Sequence, residues 1–290
     1  MNWLVLALFS AFCLASADAV TKRFIGTYTA YEIVLVRFGA AGVLLCPVLF
    51  FQPWPHLDLE FWFWLSGLLP VEMLAMWLYM EAIRESALSL TLPLLAFTPV
   101  FNTLTAYLIL GETAQLTGFL GILIVVTGSW ALNSHHLGRS RGLNLLAPFR
   151  GMLKERGPRL MLLVAALYSL TSVFSKGILR TVDPGFFGAF YFVLLAIITM
   201  LIFALKGFNP VRILVRKPLA HMTIGFCMAG MVLAHFYAIE QVQVAYMIAV
   251  KRTSLLFGML YGACLFGEKD IPRKLVAGCL MIFGVFLISM

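Results

Sequence analysis

Long apolar runs recur from one end of the chain to the other, and each could cross a membrane as a helix. An α-helix needs about 18 or more apolar residues to span the ~30 Å hydrocarbon core of a bilayer. Glycine, proline and charged residues separate ten such runs, at roughly 2–20, 29–51, 61–82, 86–110, 115–133, 159–181, 185–206, 218–239, 242–266 and 272–290. The pattern predicts an all-α membrane protein with ten transmembrane helices.

The composition excludes the main alternatives to a helical membrane protein. Hydrophobic residues make up 62% of the chain and charged residues 12%, and the mean hydropathy is +0.96. A soluble domain is about half apolar and a quarter charged. A transmembrane β-barrel would show alternating segments of about ten residues instead. The net charge of +8 fits basic cytoplasmic loops, so we expect the lipid bilayer as a partner and no nucleic acid.

No constellation in the sequence indicates catalysis or a cofactor. There is no Gly-rich phosphate loop, no nucleophile with a matching base and no metal-ligand spacing. We therefore expect no cofactor, no metal and no enzymatic activity. The cysteines all fall in predicted spans and are interpreted as small buried hydrophobes; they are Cys13, Cys46, Cys227, Cys264 and Cys279.

The two halves of the chain resemble each other, which predicts an internal repeat. The tripeptide LGE at 110–112 returns as FGE at 266–268, and the same offset of 156 aligns Phe101 with Phe257 and Gly128 with Gly284. We predict five-helix repeats over 1–133 and 159–290, joined by a basic linker over 134–158. Five helices is an odd number, so the repeats must have opposite orientations. Such inverted repeats are typical of secondary transporters.

The charges in the loops predict the orientation of the chain. Nearly all of the basic residues in loops follow the odd-numbered spans. They are Lys22, Arg23, Arg84, Arg139, Arg141, Arg150, Lys154, Arg156, Arg159, Lys206, Arg212, Arg216, Lys217, Lys269, Arg273 and Lys274. The loops after the even-numbered spans carry one, Arg180. Since basic loops stay cytoplasmic, we expect both termini on the non-cytoplasmic side of what would be a bacterial inner membrane.

With these features the chain resembles the EamA-type branch of the drug/metabolite transporter superfamily. The resemblance rests on SLTLPLLAFTPVFNTLTAYLILGET (89–113), on YMIAVKRTSLLFGMLYGACLFGEK (246–269), on Arg37-Phe38 in the second span, and on the glycine-spaced last span of each half. It implies ten helices with a substrate cavity between the halves. It also implies alternating-access transport of small metabolites, often outward. Many members export amino acids or other metabolites, while related branches exchange sugar phosphates or nucleotide sugars.

Two adjacent cations, Lys251 and Arg252, are the strongest candidates for a site. They lie about 15 Å along the predicted ninth span from Val242, near the bilayer midplane, at ~1.5 Å per residue. A charge at that depth costs about 2.5–3.5 kcal/mol and usually faces a cavity or a partner. The repeat has Leu95 and Ala96 at the equivalent positions. The pair is interpreted as a site for a substrate anion, with a structural ion pair as the alternative.

Glu72 is the predicted intramembrane counter-charge. It could carry a coupling proton, or it could simply neutralise Lys251, Arg252 or Arg37. The aromatic residues Trp77, Tyr79 and Tyr246 are candidates for lining the substrate site, although an interfacial aromatic belt explains membrane Trp and Tyr equally well.

A further group of residues is interpreted as coupling or gating elements. Pro93 and Pro99 would kink the fourth span, and Arg37 is a further intramembrane charge. Glu112 and Glu268, the glutamates of the repeated G-E, would bind the N-terminus of a neighbouring helix.

Together these features predict a secondary active transporter for a small metabolite. The substrate would be of the amino acid or organic anion type, and movement would be proton-coupled or by exchange. A sugar-phosphate-like anion exchanger is the alternative, and a membrane-embedded lipid-modifying enzyme would need acid–base or metal residues at one membrane face. Small residues such as Gly118, Gly121 and Gly128 permit a helix-mediated homodimer.

Overall fold

The computed structural model describes residues 2–85, 92–133, 155–266 and 271–290. These ranges form α-helices and one 3-10 helix, and they contain no strand. The α-helices are α1 (Trp3–Ile25), α2 (Ala30–Phe51), α3 (Leu59–Glu85), α4 (Thr98–Leu110), α5 (Leu116–Asn133), α6 (Arg156–Ile178), α7 (Pro184–Leu205), α8 (Pro210–Leu214), α9 (Pro218–Gln241), α10 (Val244–Lys251), α11 (Ser254–Phe266) and α12 (Ile271–Ser289). The 3-10 helix, Leu92–Phe97, precedes α4.

Helices long and apolar enough to cross a membrane account for seven of the predicted spans within the described ranges. They are Trp3–Ile25, Ala30–Phe51, Leu59–Tyr79, Arg156–Ile178, Pro184–Leu205, Pro218–Gln241 and Val244–Leu265. Shorter apolar helices, Leu94–Leu110, Leu116–Ala131 and Val276–Ser289, occupy the other three predicted positions. The all-α membrane class is confirmed, whereas the count of ten transmembrane helices stays a prediction.

The chain divides into two compact units. Unit 1 comprises Met1–Phe61, Ile178–Val242 and Thr253–Lys269, and unit 2 comprises Trp62–Gly177, Gln243–Arg252 and Asp270–Met290. Each unit therefore takes helices from both halves of the sequence. The repeat boundaries at 133 and 159 stay a prediction, and residues 134–154 of the linker lie outside the described residues.

Unit 1 is built on two helix pairs, α1 with α9 and α2 with α7. Glycines let these backbones approach closely: a Cβ at Gly42 of α2 would lie 2.5 Å from the Cβ of Ala196 on α7. An ion pair between Arg37 of α2 and Asp18 of α1 joins two of these helices. No pattern in the sequence identifies Asp18 as the partner of Arg37.

Unit 2 is organised around the packing of α5 against α12. A Cβ at Gly121 would lie 2.7 Å from the carbonyl oxygen of Gly284, and one at Gly128 would lie 2.7 Å from the Cγ of Met281. Gly121 and Gly128, which the sequence offers as part of a dimer face, are therefore covered by a helix of their own chain. A homodimer would need a different surface.

Two predicted spans are not continuous α-helices, and both break at the same point of the repeat. The ninth span, 242–266, divides into α10 and α11, and the fourth span contains the 3-10 helix followed by α4. The offset of 156 aligns Thr98, where α4 begins, with Ser254, where α11 begins, and it also aligns their last residues, Leu110 and Phe266. The break in the ninth span was not predicted, and the kink of the fourth span at Pro93 and Pro99 stays a prediction.

Candidate functional site

Helix α10 is short and buried, and it carries Lys251 as its last residue. Every residue from Val244 to Val250 is buried, as expected for a helix that is apolar on all sides. Its C-terminal end is closed by Arg252, whose backbone N–H donates to the carbonyls of Ile248 and Ala249. Since the helix dipole makes this end partly negative, two cations are favourable there. The interrupted helix thus places Lys251 and Arg252 at a helix terminus rather than in mid-helix.

The opposite end of α10 is held by Glu112. Its Oε2 accepts a hydrogen bond of 2.9 Å from the backbone N–H of Val244, where the partial positive charge of the helix favours an anion. Its Oε1 forms an ion pair of 2.6 Å with Nζ of Lys176 on α6. Gly111 ends α4 in the left-handed region, with a φ of 72°, which glycine adopts readily. The chain can therefore turn directly after α4, where Glu112 follows. The G-E sequence therefore links α4, α6 and α10 within unit 2.

Two further hydrogen bonds fasten the loop after α4 to the start of α10. Gln243 Nε2 donates to the carbonyl of Thr113 at 2.7 Å, and the backbone N–H of Gln115 donates to the hydroxyl of Tyr246 at 2.9 Å. A Cβ at Gly118 would collide with the ring of Tyr246. The phenol of Tyr246 thus has a backbone partner, and its role in binding substrate stays a prediction.

Lys251 is under the influence of one attractive and one repulsive charge. Glu72 of α3 and Arg252 both act on it electrostatically, with opposite signs. All three residues belong to unit 2, and the side chains of all three are partly buried. The structure therefore brings together the two cations and the carboxylate that the sequence singled out.

The guanidinium of Arg252 is tied to the start of α4. Its Nη2 donates to the hydroxyl of Thr98 at 2.8 Å, and that hydroxyl donates to the carbonyl of Leu95 at 2.7 Å. The phenols of Tyr79 and Tyr168 also act electrostatically on Arg252. Its buried Nε has no hydrogen-bond partner among the described residues. Arg252 therefore retains donor capacity in a largely apolar setting.

Asn102, which the sequence analysis did not single out, lies one turn beyond Thr98 on α4. Its side chain is 0% exposed, and neither Nδ2 nor Oδ1 has a hydrogen-bond partner within the part of the chain that the structure describes. Thr98, Asn102 and Thr105 are spaced by four and three residues, so they share one helix face. This spacing of polar residues within an apolar run is the sequence pattern that points to Asn102.

The remaining predicted residues lie in several different settings. Trp77 is 53% exposed on α3, and Arg37 pairs with Asp18 in unit 1. Pro99 stands in the first turn of α4, where its missing N–H costs no intrahelical hydrogen bond. Pro93 is part of the 3-10 helix. Glu268 lies outside the described residues.

Comparisons with known proteins agree with this architecture. The family model described as EamA-like transporter family matches residues 1–134 and 156–290. An uncharacterized transporter of Methanothermobacter thermautotrophicus is 25% identical over 192 residues, which cover 65% of this chain and 53% of that protein. The chain thus matches about half the length of this curated relative. A solved crystal structure of another protein has a TM-score of 0.69 at 17% identity, covering 98% of this chain and 94% of that one, which shows a shared fold.

The ion pair between Glu112 and Lys176 generates a prediction about stability. Both side chains are largely buried, with 15% and 16% exposed, so removing one charge strands the other in an apolar setting. We expect Glu112→Gln and Lys176→Met each to lower the free energy of unfolding by about 2 kcal/mol, less than for a fully buried pair. The double variant should lose at least ~1 kcal/mol less than the sum of the two single losses.

Thermal or denaturant unfolding of the four proteins in detergent measures this coupling. The variant Glu60→Gln serves as a control, because Glu60 is an exposed glutamate in the first turn of α3. If the double variant loses as much free energy of unfolding as the two single variants together, the two charges do not stabilise the protein through their interaction.

Proposed function

Because the chain belongs to the EamA-like transporter family of the drug/metabolite transporter superfamily, we propose that it is a secondary active transporter for a small anionic metabolite. The observation that carries the proposal is the position of Lys251 and Arg252 at the break between α10 and α11, with Arg252 bound to Thr98. Interrupted helices whose ends meet polar groups are the usual substrate-site element of transporters.

The charge of the site favours an anion. Glu72 acts on Lys251, whereas Arg252 has the hydroxyl of Thr98 and the phenols of Tyr79 and Tyr168 near it, so a substrate that brings a negative charge would balance the guanidinium. Desolvating a positive charge is costly unless it is paired. A carboxylate or phosphate is therefore the expected group, which covers both organic anions and zwitterionic amino acids. A sugar-phosphate-like substrate moved by exchange is the alternative, since the same two cations suit a phosphate ester.

Glu72 supports a proposal for coupling. In the empty site the carboxylate would neutralise Lys251, and a bound anion would compete with it for that cation. Glu72 would then take up a proton, which couples movement of the anion to the proton gradient. In an exchanger, a second substrate anion would replace the proton in this competition. Alternating access would expose the site to each side in turn, with the G-E contacts of Glu112 acting as a gate.

The proposal extends to the setting of the protein. The basic loops favour an inner-membrane location with non-cytoplasmic termini, and transport without chemical conversion of the substrate accounts for the chain's lack of an evident catalytic motif. A homodimer would use a surface other than the glycine face of α5, because α12 covers that face.

Replacing Lys251 tests the proposal. We expect Lys251→Met to reduce the initial rate of anion uptake into proteoliposomes by about 100-fold, since a charge-assisted contact contributes ~1.5–3 kcal/mol. Lys251→Arg keeps the charge and should retain part of the rate. Lys206→Met removes an exposed lysine at the end of α7 and should leave the rate unchanged.

The variants are first compared for monodispersity and reconstitution, so that a folding defect is separated from a transport defect. Uptake by well-folded Lys251→Met at the native rate would contradict a substrate role for this lysine. Uptake of organic cations alone by the native protein would contradict the anion specificity.

Replacing Glu72 tests the coupling. A proton gradient should accelerate anion uptake by the native protein, and we expect Glu72→Gln to abolish that acceleration while preserving exchange of anion for anion. The matched control is Glu60→Gln on the same helix. If Glu72→Gln responds to the gradient as the native protein does, the proton is carried elsewhere.

A further inference from the structure

The buried amide of Asn102 is unexplained by the contacts of its own chain. Both of its polar atoms lack partners among the described residues although the side chain is 0% exposed. The large majority of buried side-chain polar atoms have a hydrogen-bond partner, and an unsatisfied one costs about 1–3 kcal/mol. The neighbouring Thr98 and Thr105 are satisfied by carbonyls of α4 or the segment before it. Asn102 is therefore the unsatisfied member of a polar helix face.

This amide stands next to the cationic site. Asn102 follows Thr98 by one helical turn, about 6 Å along α4, and Thr98 accepts the hydrogen bond from Arg252. Helices α4 and α10 pack against each other within unit 2. Arg252 itself keeps a buried Nε without a partner among the described residues. Two unsatisfied polar groups thus lie on neighbouring helices, one of them charged and one neutral.

The chemistry of an amide limits what could satisfy it. Asn102 offers two donors on Nδ2 and an acceptor on Oδ1. An ammonium group only donates and a carboxylate only accepts, so neither satisfies both atoms. Adjacent hydroxyl groups do so, because one hydroxyl accepts from Nδ2 while the next donates to Oδ1. The required ligand carries its hydroxyl groups within a few ångströms of its negative charge.

We propose that Asn102 is a specificity-determining residue that selects anions bearing adjacent hydroxyl groups, with the charge held at Lys251 and Arg252. The proposal rests on the proposed function, because it assumes that the two cations bind the substrate anion. It favours hydroxylated acids and sugar-like phosphate esters over anions of the same size that lack hydroxyl groups. Carboxylate and phosphate share the same recognition by the two cations, so both are included.

Matched ligand pairs test this selection on the full-length protein. The pairs are glycerate with propionate, and glycerol 3-phosphate with propyl phosphate; each pair differs in its hydroxyl groups and keeps the anion. We expect the native protein to bind the hydroxylated member about 10-fold more tightly, as two neutral hydrogen bonds would give. Equilibrium binding in detergent or nanodiscs measures the ratio, and the pair with the tighter binding identifies the anion.

Variants of α4 test whether Asn102 is responsible for the preference for hydroxylated anions. Asn102→Leu removes both polar atoms at similar volume, and we expect the ratio of affinities to fall to about one while propionate or propyl phosphate binds as before. Asn102→Thr, which replaces the amide with a single hydroxyl, is a second variant should Asn102→Leu fail to fold, and it should also lower the ratio of affinities. Thr103→Val is the control, because the hydroxyl of Thr103 donates to the carbonyl of Pro99 in its own helix.

The outcomes separate this inference from the proposed function. Equal affinities within each pair for the native protein would overturn the inference and leave the anion site intact. So would an unchanged preference in Asn102→Leu. If no anion binds to the native protein, or if Lys251→Met binds anions normally, the proposed function fails and the inference fails with it.

Discussion

The architecture of the site depends on the termination of α10 at Lys251. A continuous helix through residues 242–266 would leave two neighbouring cations in mid-helix, pointing about 100° apart into apolar surroundings. Ending the helix there places both charges at its partly negative end, while Glu112 occupies the partly positive end. The arrangement gives an eight-residue helix an opposite charge at each terminus. That helix can be buried along its length because its side chains from Val244 to Val250 are apolar except for the phenol of Tyr246, which accepts a hydrogen bond from Gln115.

The same break lies at matching positions of the two predicted repeats. Helices α4 and α11 begin at positions related by the repeat offset and have the same length, so the interruption belongs to both halves. Only the second half places charge there, since Leu95 and Ala96 stand where Lys251 and Arg252 would be. The first half supplies Thr98, which binds the guanidinium of Arg252. The site is therefore asymmetric in charge although it is built on a symmetric backbone feature.

The sequence predicted the membrane class and the cationic pair, because apolar length and buried charge are local signals. It predicted a kink in the fourth span at Pro93 and Pro99 but not the break in the ninth span, because the residues from Val244 to Leu265 are apolar enough to be one helix. Asp18 and Lys176 were missed as partners of Arg37 and Glu112 because each pair joins separate elements: α1 with α2, and the loop after α4 with α6. In the sequence, Asn102 is only one of several polar residues spaced along α4. Its lack of a hydrogen-bond partner among the described residues becomes evident only in the structure, where its side chain is buried.

The central claim is that Lys251 and Arg252 form an anion site, and ligand-dependent thermal stability tests it most directly. Purified native protein and Lys251→Met are heated with amino acids, organic anions, sugar phosphates and organic cations, because a ligand stabilises the folded form in proportion to its occupancy. The account predicts that anions or zwitterions raise the melting temperature of the native protein and not that of the variant. Stabilisation by organic cations alone, equal in both proteins, would contradict it and assign the binding site to Glu72.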